Sequence, residues 1–220
     1  MTQKSYIIFG CSGSGKSTFA NYLKNTMQYH HVTTGELTRA EANNKTPRGQ
    51  YFAKMIETDE LIPDDIFTDL LYDNLLKLIF NNSPFVLEGY PQTYEQAVHL
   101  LSTLQDVAKL KQIVLVYFDI DPDLALKRIA SRLICKNCRT ICNKEYHSSK
   151  ICPQCKKPLT KSFFDSKENA KIRLSIFQKN MKNVPKLFAK DLGINFIRFK
   201  SGENYNPITN DYIFYIRSLI

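Results

Sequence analysis

The sequence predicts an α/β fold in which a parallel sheet is flanked by helices on both faces. Apolar runs of strand length alternate with amphipathic stretches along most of the 220 residues, and this alternation is typical of a three-layer α/β core. A glycine-rich loop, Gly10 to Ser17, follows the first apolar run, and two CxxC cysteine pairs interrupt the alternation late in the chain. We therefore expect a P-loop fold, a sheet with a phosphate-binding loop, that carries small insertions.

The predicted strands are short apolar runs bounded by polar or turn-forming residues. The run from Tyr6 to Phe9, directly before the glycine-rich loop, has this character. The expected strands are 5–9, 85–88, 113–118 and 194–199, with a shorter one near 30–33.

Helices are predicted where apolar residues recur at intervals of three and four. Phe19 begins such a stripe just after the glycine-rich loop. Another helix has a strong start signal, with Asp121 as N-cap and Pro122 at the first helical position. The other predicted helices are 64–80, 92–107, 122–133, one from Ser166 to about Lys190 with a kink at Pro185, and a last one from about Ile208.

The glycine-rich loop has the composition of a loop that binds nucleotide phosphates. Its glycines let the backbone curl until several N–H groups converge on phosphate oxygens, and Lys16 adds a positive charge. Ser17 would hold Mg²⁺ through its hydroxyl, and the N-terminus of the next helix favours anions. A turn that binds nothing is the alternative, which the flanking strand and helix disfavour. The predicted contacts to a nucleoside triphosphate are Gly10, Gly13, Ser14, Gly15, Lys16, Ser17 and Thr18.

Four of the six cysteines predict a structural metal site. The two CxxC pairs are Cys135 with Cys138 and Cys152 with Cys155, and thirteen residues separate them. Each pair turns tightly enough to aim two thiolates at one tetrahedral ion, and Zn²⁺ with four sulfur ligands has no open position for catalysis. Two complete pairs fill this coordination shell, so we expect the nearby Cys142 and His147 to be surface or loop residues.

Composition and charge narrow the function classes. The chain has 30 Lys and Arg against 21 Asp and Glu, a net charge of +9, which suits phosphate-rich substrates or nucleic acid without proving either. It has no run of 18 uncharged apolar residues, and the phosphate loop comes too early for a signal peptide. Metal-binding thiols need a reducing compartment. We therefore expect a cytoplasmic protein that does not bind membranes.

Two further segments carry a resemblance to a known family. They are Thr33-Thr34-Gly35-Glu36-Leu37-Thr38-Arg39 and Glu88-Gly89-Tyr90-Pro91-Gln92-Thr93, the latter with Gln96 beyond it. Together with the phosphate loop and the cysteine pairs, they resemble the nucleoside monophosphate kinases, and most closely the bacterial-type adenylate kinases with a zinc-binding lid. The resemblance covers nearly the whole chain.

This resemblance implies a role for each matched residue on the acceptor side. Thr34 and Gly35 would line the nucleoside, and Arg39 would grip the monophosphate. Glu88 would help to hold Mg²⁺ through water, and Gln96 would read the adenine edge. The implied substrate contacts are Thr34, Gly35, Arg39, Gly89, Gln92, Gln96, Arg132 and Arg173.

The same resemblance extends to the arginines around the lid. Arg128 and Arg132 are four residues apart, and we expect them to share a helix face, so that both reach the ATP base and phosphates from one side. A basic helix face exposed to solvent is the less favoured alternative for this spacing. Asp165 matches the lid-exit aspartate and Arg173 the transfer arginine. The implied catalytic residues are Lys16, Arg128, Arg132 and Arg173, and Glu88 and Arg128 join the loop residues as cofactor contacts.

The sequence departs from the family pattern at three positions. Gln92 stands where the family has an arginine, Ser162 where it has the lid-exit arginine, and Phe164 where it has an acid, unless Lys161 substitutes after a one-residue slip. A bidentate arginine fits phosphate in a planar geometry that glutamine and serine cannot copy. The spacing between the cysteine pairs also looks short for this lid. Efficiency and acceptor identity are therefore open.

The resemblance implies in-line transfer of the γ-phosphoryl group of ATP to a nucleoside monophosphate, favouring AMP, with Mg²⁺ and a structural Zn²⁺. We expect a monomer with a core of residues 1–32, 64–130 and 166–220, an acceptor-binding insertion over 33–63 and a zinc lid over 131–165. One alternative is a divergent kinase-like protein that binds nucleotide or nucleic acid with weak catalysis. Another is a kinase for a different monophosphate or a small metabolite. Nucleic acid is the less favoured partner, because the lid offers few aromatic residues among its lysines.

Overall fold

The core is a five-stranded parallel sheet, as the alternation predicts. In this computed structural model the strands are β1 (Ser5–Gly10), β2 (His30–Thr33), β3 (Phe85–Glu88), β4 (Ile113–Ile120) and β8 (Asn195–Ser201), labelled in chain order. Their spatial order is β2-β3-β1-β4-β8. The structure describes residues 4–58, 63–105, 113–138, 140–144, 147–161, 165–190 and 195–202.

Strand β1 lies at the centre of the sheet and sets its register. Ile7 pairs with Leu87 on β3 and with Leu115 on β4, and all three side chains are fully buried. Central strands of a parallel sheet are covered on both faces and are therefore continuous apolar runs. Parallel pairing also brings the carboxyl ends of all five strands to one edge, where the glycine-rich loop leaves β1.

Helices cover both faces of the sheet. Phe19 and Leu23 of the helix after the glycine-rich loop pack on one face, beside Ile8, while Leu71 and Leu75 pack on the other, beside Ile7. This division follows from the alternation of side chains along a strand. The described helices are α1 (Lys16–Met27), α2 (Thr34–Ala42), α3 (Pro47–Glu57), α4 (Asp64–Phe80), α5 (Tyr94–Gln105), α6 (Pro122–Ala130), α7 (Lys167–Met181) and α8 (Val184–Lys190).

The five predicted strands are confirmed, and so is the helix over 64–80, but two predicted helices end differently. The helix expected over 122–133 ends at Ala130, because Arg132 already pairs with the neighbouring strand of a second sheet. The helix expected from Ser166 to Lys190 is two helices, α7 and α8. Pro185 lies in the first turn of α8, where a missing N–H costs no helical hydrogen bond. The predicted helix from Ile208 lies outside the described residues.

Helix α5 begins two residues later than expected and buries part of the apolar face that the periodicity predicts. Thr93 caps it, since its Oγ1 accepts from the N–H of Gln96 at 3.1 Å. Ala97 and Leu104 of the predicted face are buried, whereas Tyr94 and Val98 are 40% and 42% exposed. Leu100 is fully buried beside them, so the buried face is turned toward this residue.

The described part of the insertion expected over 33–63 contains a helical hairpin of α2 and α3. Thr33 caps α2 by accepting from a first-turn N–H at 3.1 Å, and Thr46 caps α3 by accepting from the N–H of Gly49 at 3.0 Å. Gly49 lets the helices approach closely. A Cβ there would lie 2.6 Å from the carbonyl oxygen of Glu41 and closer still to that of Asn44.

An ion-pair network ties this hairpin to α4 of the core. Arg48 Nε donates to Glu41 Oε1 at 2.9 Å, and Arg48 Nη1 donates to Asp73 Oδ2 at 3.0 Å. The hydrogen bond from Arg48 is the main reason why the pKa of the buried Glu41 carboxyl lies below its ordinary value. Arg48 of α3 thus contacts α2 through Glu41 and the core helix α4 through Asp73 in this structure.

A second, antiparallel sheet lies between α6 and α7, and we call the described residues from Arg132 to Asp165 (132–138, 140–144, 147–161 and 165) the ribbon lobe. Its strands are β5 (Arg132–Cys135), β6 (Ile141–Asn143) and β7 (Leu159–Thr160), with β5 in the middle. Cys142, expected at the surface, is 5% exposed, because β6 pairs with β5 and contributes this side chain to the small core of the lobe. Of the helices that the structure describes, none combines the length and the apolar character needed to cross a membrane.

We expect Gly49→Ala to lower the free energy of unfolding by about 1–3 kcal/mol, the usual cost of forcing a methyl group into a packed contact. Urea denaturation followed by circular dichroism measures it. Gln50→Ala, at the next and exposed position of α3, is the control and should change stability by less than about 0.5 kcal/mol. Equal midpoints for Gly49→Ala and wild type would contradict the close approach of α2 and α3.

Candidate active site

A cleft of about 620 Å³ opens at the carboxyl edge of the parallel sheet. Ligands of open α/β sheets bind at this edge, outside the carboxyl ends of the strands. The loop after β1, the end of β3, helix α7 and strand β6 of the ribbon lobe border the cleft. The predicted site residues that line it are Gly10, Gly13, Gly15, Lys16, Ser17, Thr18, Glu88, Gly89, Gln92, Gln96, Arg128, Arg132 and Arg173.

The loop after β1 has a backbone shaped to hold an anion. Gly13 has φ +83°, and a Cβ there would lie 2.7 Å from the carbonyl oxygen of Ala125 on α6, so only glycine fits. Gly15 is the N-cap of α1, and no side chain caps this end of the helix. The first-turn N–H groups of a helix have no intrahelical acceptor, and the helix dipole favours negative charge there.

Lys16 begins α1 and folds back over the loop. Its Nζ donates to the carbonyl oxygen of Cys11 at 2.7 Å and lies 3.4 Å from Ser14 Oγ. Ser14, a residue of the loop itself, is fully buried and does not line the cleft. The lysine is thus held where a phosphate group on the loop would meet it.

Positive charge is concentrated around Lys16. Burial lowers the pKa of its ammonium group, the negative charge of Glu88 opposes this, and the cationic Arg132 and Arg173 lower the pKa further. Cations that repel one another in a cleft are stabilised by a ligand of opposite charge. The arrangement therefore suits an anion that carries several negative charges, such as a polyphosphate.

Glu88 ends β3 directly beside the loop. Ser17 Oγ donates to Glu88 Oε1, and His31 Nε2 lies 3.0 Å from Glu88 Oε2. Burial raises the pKa of Glu88, but the hydrogen bond from His31, the charge of Lys16 and the hydrogen bond from Ser17 outweigh it, so the pKa lies below its ordinary value. A hydroxyl beside an ionised carboxylate is an oxygen donor set that suits Mg²⁺.

Arg128 and Arg132 do not share a helix face, contrary to the prediction, because Arg128 lies on α6 and Arg132 begins β5. Arg128 Nη1 donates to Ser201 Oγ at 2.7 Å, and Arg128 Nη2 donates to the carbonyl oxygen of Gly202 at 2.9 Å. Its Nη1 also lies 3.4 Å from the carbonyl oxygen of Gly13. Arg128 therefore joins the phosphate loop to the end of β8.

Arg132 is instead held by an aspartate at the far end of the ribbon lobe. Its Nε donates to Asp165 Oδ2 at 2.8 Å, and its Nη2 donates to Oδ1 of the same carboxylate. The Asp165 side chain is fully buried. This bidentate pair fixes the guanidinium plane at the edge of the cleft and does not use Nη1. It also joins the first and last residues of the lobe.

Three predicted acceptor contacts lie outside the cleft lining, on the first turns of α2. A Cβ at Gly35 would lie 3.2 Å from Arg39 Nη1, so the Arg39 guanidinium rests over its own helix. Thr34 sits beside the loop after β3, since a Cβ at Gly89 would lie 3.3 Å from Thr34 Oγ1. The residues are near the cleft, but α2 does not cover it.

Gln92 is engaged with its own loop. Its Nε2 donates to the carbonyl oxygen of Gly89 at 2.6 Å, and its backbone N–H donates to Gln96 Oε1 at 2.7 Å. The other two departures from the family pattern, Ser162 and Phe164, lie outside the described residues. Lys161, the last residue described before them, is exposed.

The four predicted metal ligands come together in the ribbon lobe. The Sγ atoms of Cys135, Cys138, Cys152 and Cys155 lie within 4.8 Å of one another. Cys135 Sγ is 3.4 Å from Cys155 Sγ, and Cys138 Sγ is 3.5 Å from Cys152 Sγ. Tetrahedral Zn²⁺ with bonds of about 2.3 Å separates its sulfur ligands by about 3.8 Å. The cluster therefore fits a zinc ion, and His147, whose Nε2 faces the carbonyl oxygen of Ile151 at 3.0 Å, is not part of it.

Sequence reasoning missed one face of α7 that lines the cleft. Ile176, Phe177 and Asn180 stand three, four and seven residues after Arg173, and all four border the cleft. This is the spacing of one helix face. The helix periodicity counted from Arg173 therefore predicts that these three residues face the cleft. His31 had no such signal, because its contact with Glu88 depends on strand order.

The comparison with known families agrees with this geometry. The family model described as adenylate kinase matches residues 8–192. The chain belongs to the adenylate kinase family. The matched range includes the phosphate loop, the α2–α3 hairpin, the ribbon lobe and α7. The chain is thus a nucleoside monophosphate phosphotransferase.

Individual adenylate kinases match over most of their length. The adenylate kinase of Borrelia duttonii (strain Ly) is 31% identical over 205 residues, which cover 92% of each chain. That of Borrelia garinii subsp. bavariensis is 33% identical over 192 residues, 86% of this chain and 88% of the relative. That of Mycoplasma mobile is 31% identical over 194 residues, 86% and 87% of the two chains.

The lowered pKa of Glu88 predicts how its contribution to stability depends on pH. A carboxyl group whose pKa is lower in the folded state stabilises the fold fully above its unfolded-state pKa, about 4.5, and loses this contribution as the pH falls through the folded-state value. We expect the urea midpoints of wild type and Glu88→Gln to differ by a constant amount from pH 7 to about 5 and to converge below about pH 4.5.

The exposed Glu57→Gln is the control for this measurement, and its midpoint should follow that of wild type throughout. A constant difference between wild type and Glu88→Gln down to pH 3 would contradict the lowered pKa.

Proposed function

We propose that the chain transfers the γ-phosphoryl group of ATP to AMP and releases two molecules of ADP. The observation that carries this proposal is the meeting of Lys16, Arg132 and Arg173 at one cleft with the Ser17–Glu88 pair. The three cations come from separate elements and can neutralise the phosphates of two substrates. The hydroxyl–carboxylate pair that they face supplies oxygen ligands for Mg²⁺. Membership of the adenylate kinase family supports the same reaction.

In this proposal the loop after β1 and the first turn of α1 bind the donor. Backbone N–H groups of the loop hold the phosphates, and Lys16 reaches the β- and γ-phosphate oxygens. Ser17 and Glu88 hold Mg²⁺, which when bound neutralises charge on the phosphates. The proposed ATP contacts are Gly10, Gly13, Gly15, Lys16, Ser17, Thr18, Glu88 and Arg128.

AMP would bind between α2 and the loop after β3. Arg39 would swing from its position over Gly35 to the acceptor phosphate, and Thr34 borders the nucleoside. Gln96 would donate from Nε2 to the adenine edge, because its Oε1 already accepts from the N–H of Gln92 at 2.7 Å. The proposed acceptor contacts are Thr34, Gly35, Arg39, Gly89, Gln92, Gln96, Arg132 and Arg173.

The chemistry needs no general base, since the attacking phosphate oxygen of AMP is already ionised at neutral pH. Catalysis then consists of alignment and of stabilising the charge on the transferred group by Lys16, Arg132 and Arg173. We propose that the acceptor insertion (33–63) and the zinc lid (131–165) close over the core (1–32, 64–130 and 166–220). Closure would exclude water, which would otherwise hydrolyse ATP.

Steady-state assays with a panel of acceptors test this function. With ATP and Mg²⁺, rapid ADP formation is expected with AMP and not with CMP, UMP, GMP, dTMP or no acceptor. Transfer to another member of the panel would reassign the acceptor. No transfer to any of them by a protein that still binds ATP would favour the alternative of a divergent nucleotide-binding relative.

Lys16→Ala should lower kcat for this reaction by about a hundredfold or more, the usual loss when one transition-state cation or donor is removed. The assay is coupled ADP formation at saturating ATP and AMP. Lys24→Ala removes an exposed lysine from the last turn of the same helix and should leave kcat unchanged. Wild-type turnover in Lys16→Ala would refute the phosphate-loop assignment.

Gln92→Arg should lower the KM for AMP about tenfold, since a guanidinium makes charge-assisted hydrogen bonds to phosphate that a neutral amide cannot. The KM for ATP should stay within about twofold. Glu95→Gln raises the net charge by the same one unit at an exposed position of α5 and should change neither constant. An unchanged KM for AMP in Gln92→Arg would place the acceptor phosphate elsewhere.

We further propose that Zn²⁺ occupies the four-cysteine cluster and stabilises the ribbon lobe, whose short strands bury few apolar side chains of their own. Removing the metal with a chelator should lower the melting temperature by several degrees and leave phosphoryl transfer detectable. Cys152→Ser should lower it similarly, and the chelator should then have no further effect. A chelated wild type that melts at its original temperature would contradict a structural ion.

Thiolate ligands of this kind are kept reduced in the cytoplasm, which is the compartment that we propose. We propose a monomer, because each residue of the proposed mechanism is supplied by one chain.

A further inference from the structure

Thr140 lies between the two cysteine pairs of the ribbon lobe and contacts both. Its Oγ1 is 3.0 Å from Cys138 Sγ in the first pair. The same Oγ1 donates to Gln154 Oε1 at 2.6 Å, and Gln154 stands between Cys152 and Cys155 in the second pair. The backbone of Thr140 is fixed as well, because its carbonyl oxygen accepts from the N–H of Cys135 at 2.9 Å.

The contact with Gln154 differs from the other links between the two pairs. Two Sγ–Sγ contacts cross from one pair to the other, Cys135 with Cys155 and Cys138 with Cys152, and the Thr140–Gln154 bond crosses beside them. A sulfur that ligates a metal has no proton to share with another sulfur. Thr140 and Gln154 are not sulfur ligands, so metal binding does not require these two side chains to separate.

We propose that Thr140 is a positioning residue of the zinc centre, which orients the Cys138 sulfur and couples it to the second cysteine pair through Gln154. The inference rests on the proposed zinc site. It adds a residue outside the four ligands whose hydroxyl determines how well the preformed cluster holds the ion.

The hydrogen-bond direction follows from the single proton of a hydroxyl group. Without metal, the thiol of Cys138 donates to Thr140 Oγ1, which donates to Gln154 Oε1. With metal, the Cys138 sulfur accepts, so the Thr140 hydroxyl donates to it, and the exposed Gln154 amide turns to donate from Nε2 to Thr140. Both arrangements use the same three side chains. A hydrogen bond to an anionic sulfur is stronger than one to a neutral group. Metal binding therefore strengthens the hydrogen bond between Thr140 and Cys138.

Partners of this kind typically contribute 10- to 100-fold to metal affinity. Thr140→Val removes the hydroxyl and keeps the shape of the side chain. Thr160→Val is its matched control, because Thr160 is equally half-buried in the same sheet, and its Oγ1 faces the carbonyl oxygen of Ile134 at 3.4 Å rather than a cysteine. Thr140→Ser keeps the hydroxyl and should restore binding.

The experiment uses the full chain, stripped of metal, with Zn²⁺ added in competition against a chromophoric chelator. Co²⁺, followed by its thiolate charge-transfer absorption, gives a second readout of how the sulfurs surround the ion. Thr140→Val should bind Zn²⁺ about tenfold more weakly or worse than wild type. Thr140→Ser and Thr160→Val should stay within about twofold. In wild type, the Co²⁺ band should be shifted relative to that of Thr140→Val.

Gln154→Leu removes the hydrogen bond between Thr140 and Gln154 and leaves the contact between Thr140 and Cys138 in place. It should also weaken Zn²⁺ binding, and its effect should not add to that of Thr140→Val in the double variant, because the two side chains act through one bond. Additive losses would contradict the coupling. ATP binding by each variant shows that the core is folded.

Two negative outcomes are distinguishable. If wild type binds neither Zn²⁺ nor Co²⁺, the zinc proposal fails and this inference fails with it. If wild type binds both ions and Thr140→Val binds them with the same affinity, or if Thr160→Val loses as much affinity, the role of Thr140 is refuted while the zinc site stands.

Discussion

Hydrogen bonding of β1 to β3 on one side and β4 on the other positions the parts of the site. It places Ile8 beside Glu88 and Gly10 beside Phe118, so the loop that leaves β1 emerges between the ends of both neighbours. Glu88 thereby reaches Ser17, although 71 residues separate them in the chain. The burial of β1 on both faces and its pairing with a strand on each side keep this placement rigid, since neither face of β1 is left to solvent.

The cationic side chains of the cleft are stabilised from different parts of the molecule. Lys16 is balanced by Glu88 and by the carbonyl oxygen of Cys11, and Arg132 is balanced by the buried Asp165. Because Asp165 stands directly before Ser166, the N-cap of α7, the same ion pair connects the ribbon lobe to the helix that carries Arg173. The lobe therefore contributes a contact at the cleft in addition to its cysteine cluster.

Most helices and strands were predictable from local sequence patterns. The predicted helix ends were wrong where a tertiary contact, rather than a local pattern, ends the helix. Asp121 and Pro122 correctly predicted the start of α6, but its end was set by pairing of Arg132 in the antiparallel sheet, which helix periodicity cannot show. Pro185 correctly predicted an interruption of the helix. Because proline is tolerated in the first turn of a helix, the interruption lies before Pro185, and α8 begins at Val184. The capping sequence Thr33 to Glu36 is a local signal for the start of α2, and the structure shows the corresponding cap.

By itself, the sequence determined the phosphate loop, the four-cysteine cluster, the five strands and the family, because these depend on spacings within a few residues of one another. Only the tertiary structure decided that Ser14 is buried within the loop, that His31 and Ser17 hold Glu88, that Arg132 pairs with Asp165 and that Thr140 bridges the cysteine pairs. His31 and Glu88 are 57 residues apart, and Arg132 and Asp165 are 33 apart. Contacts over such separations depend on strand order and register, which are set by the burial of the whole sheet rather than by any local pattern.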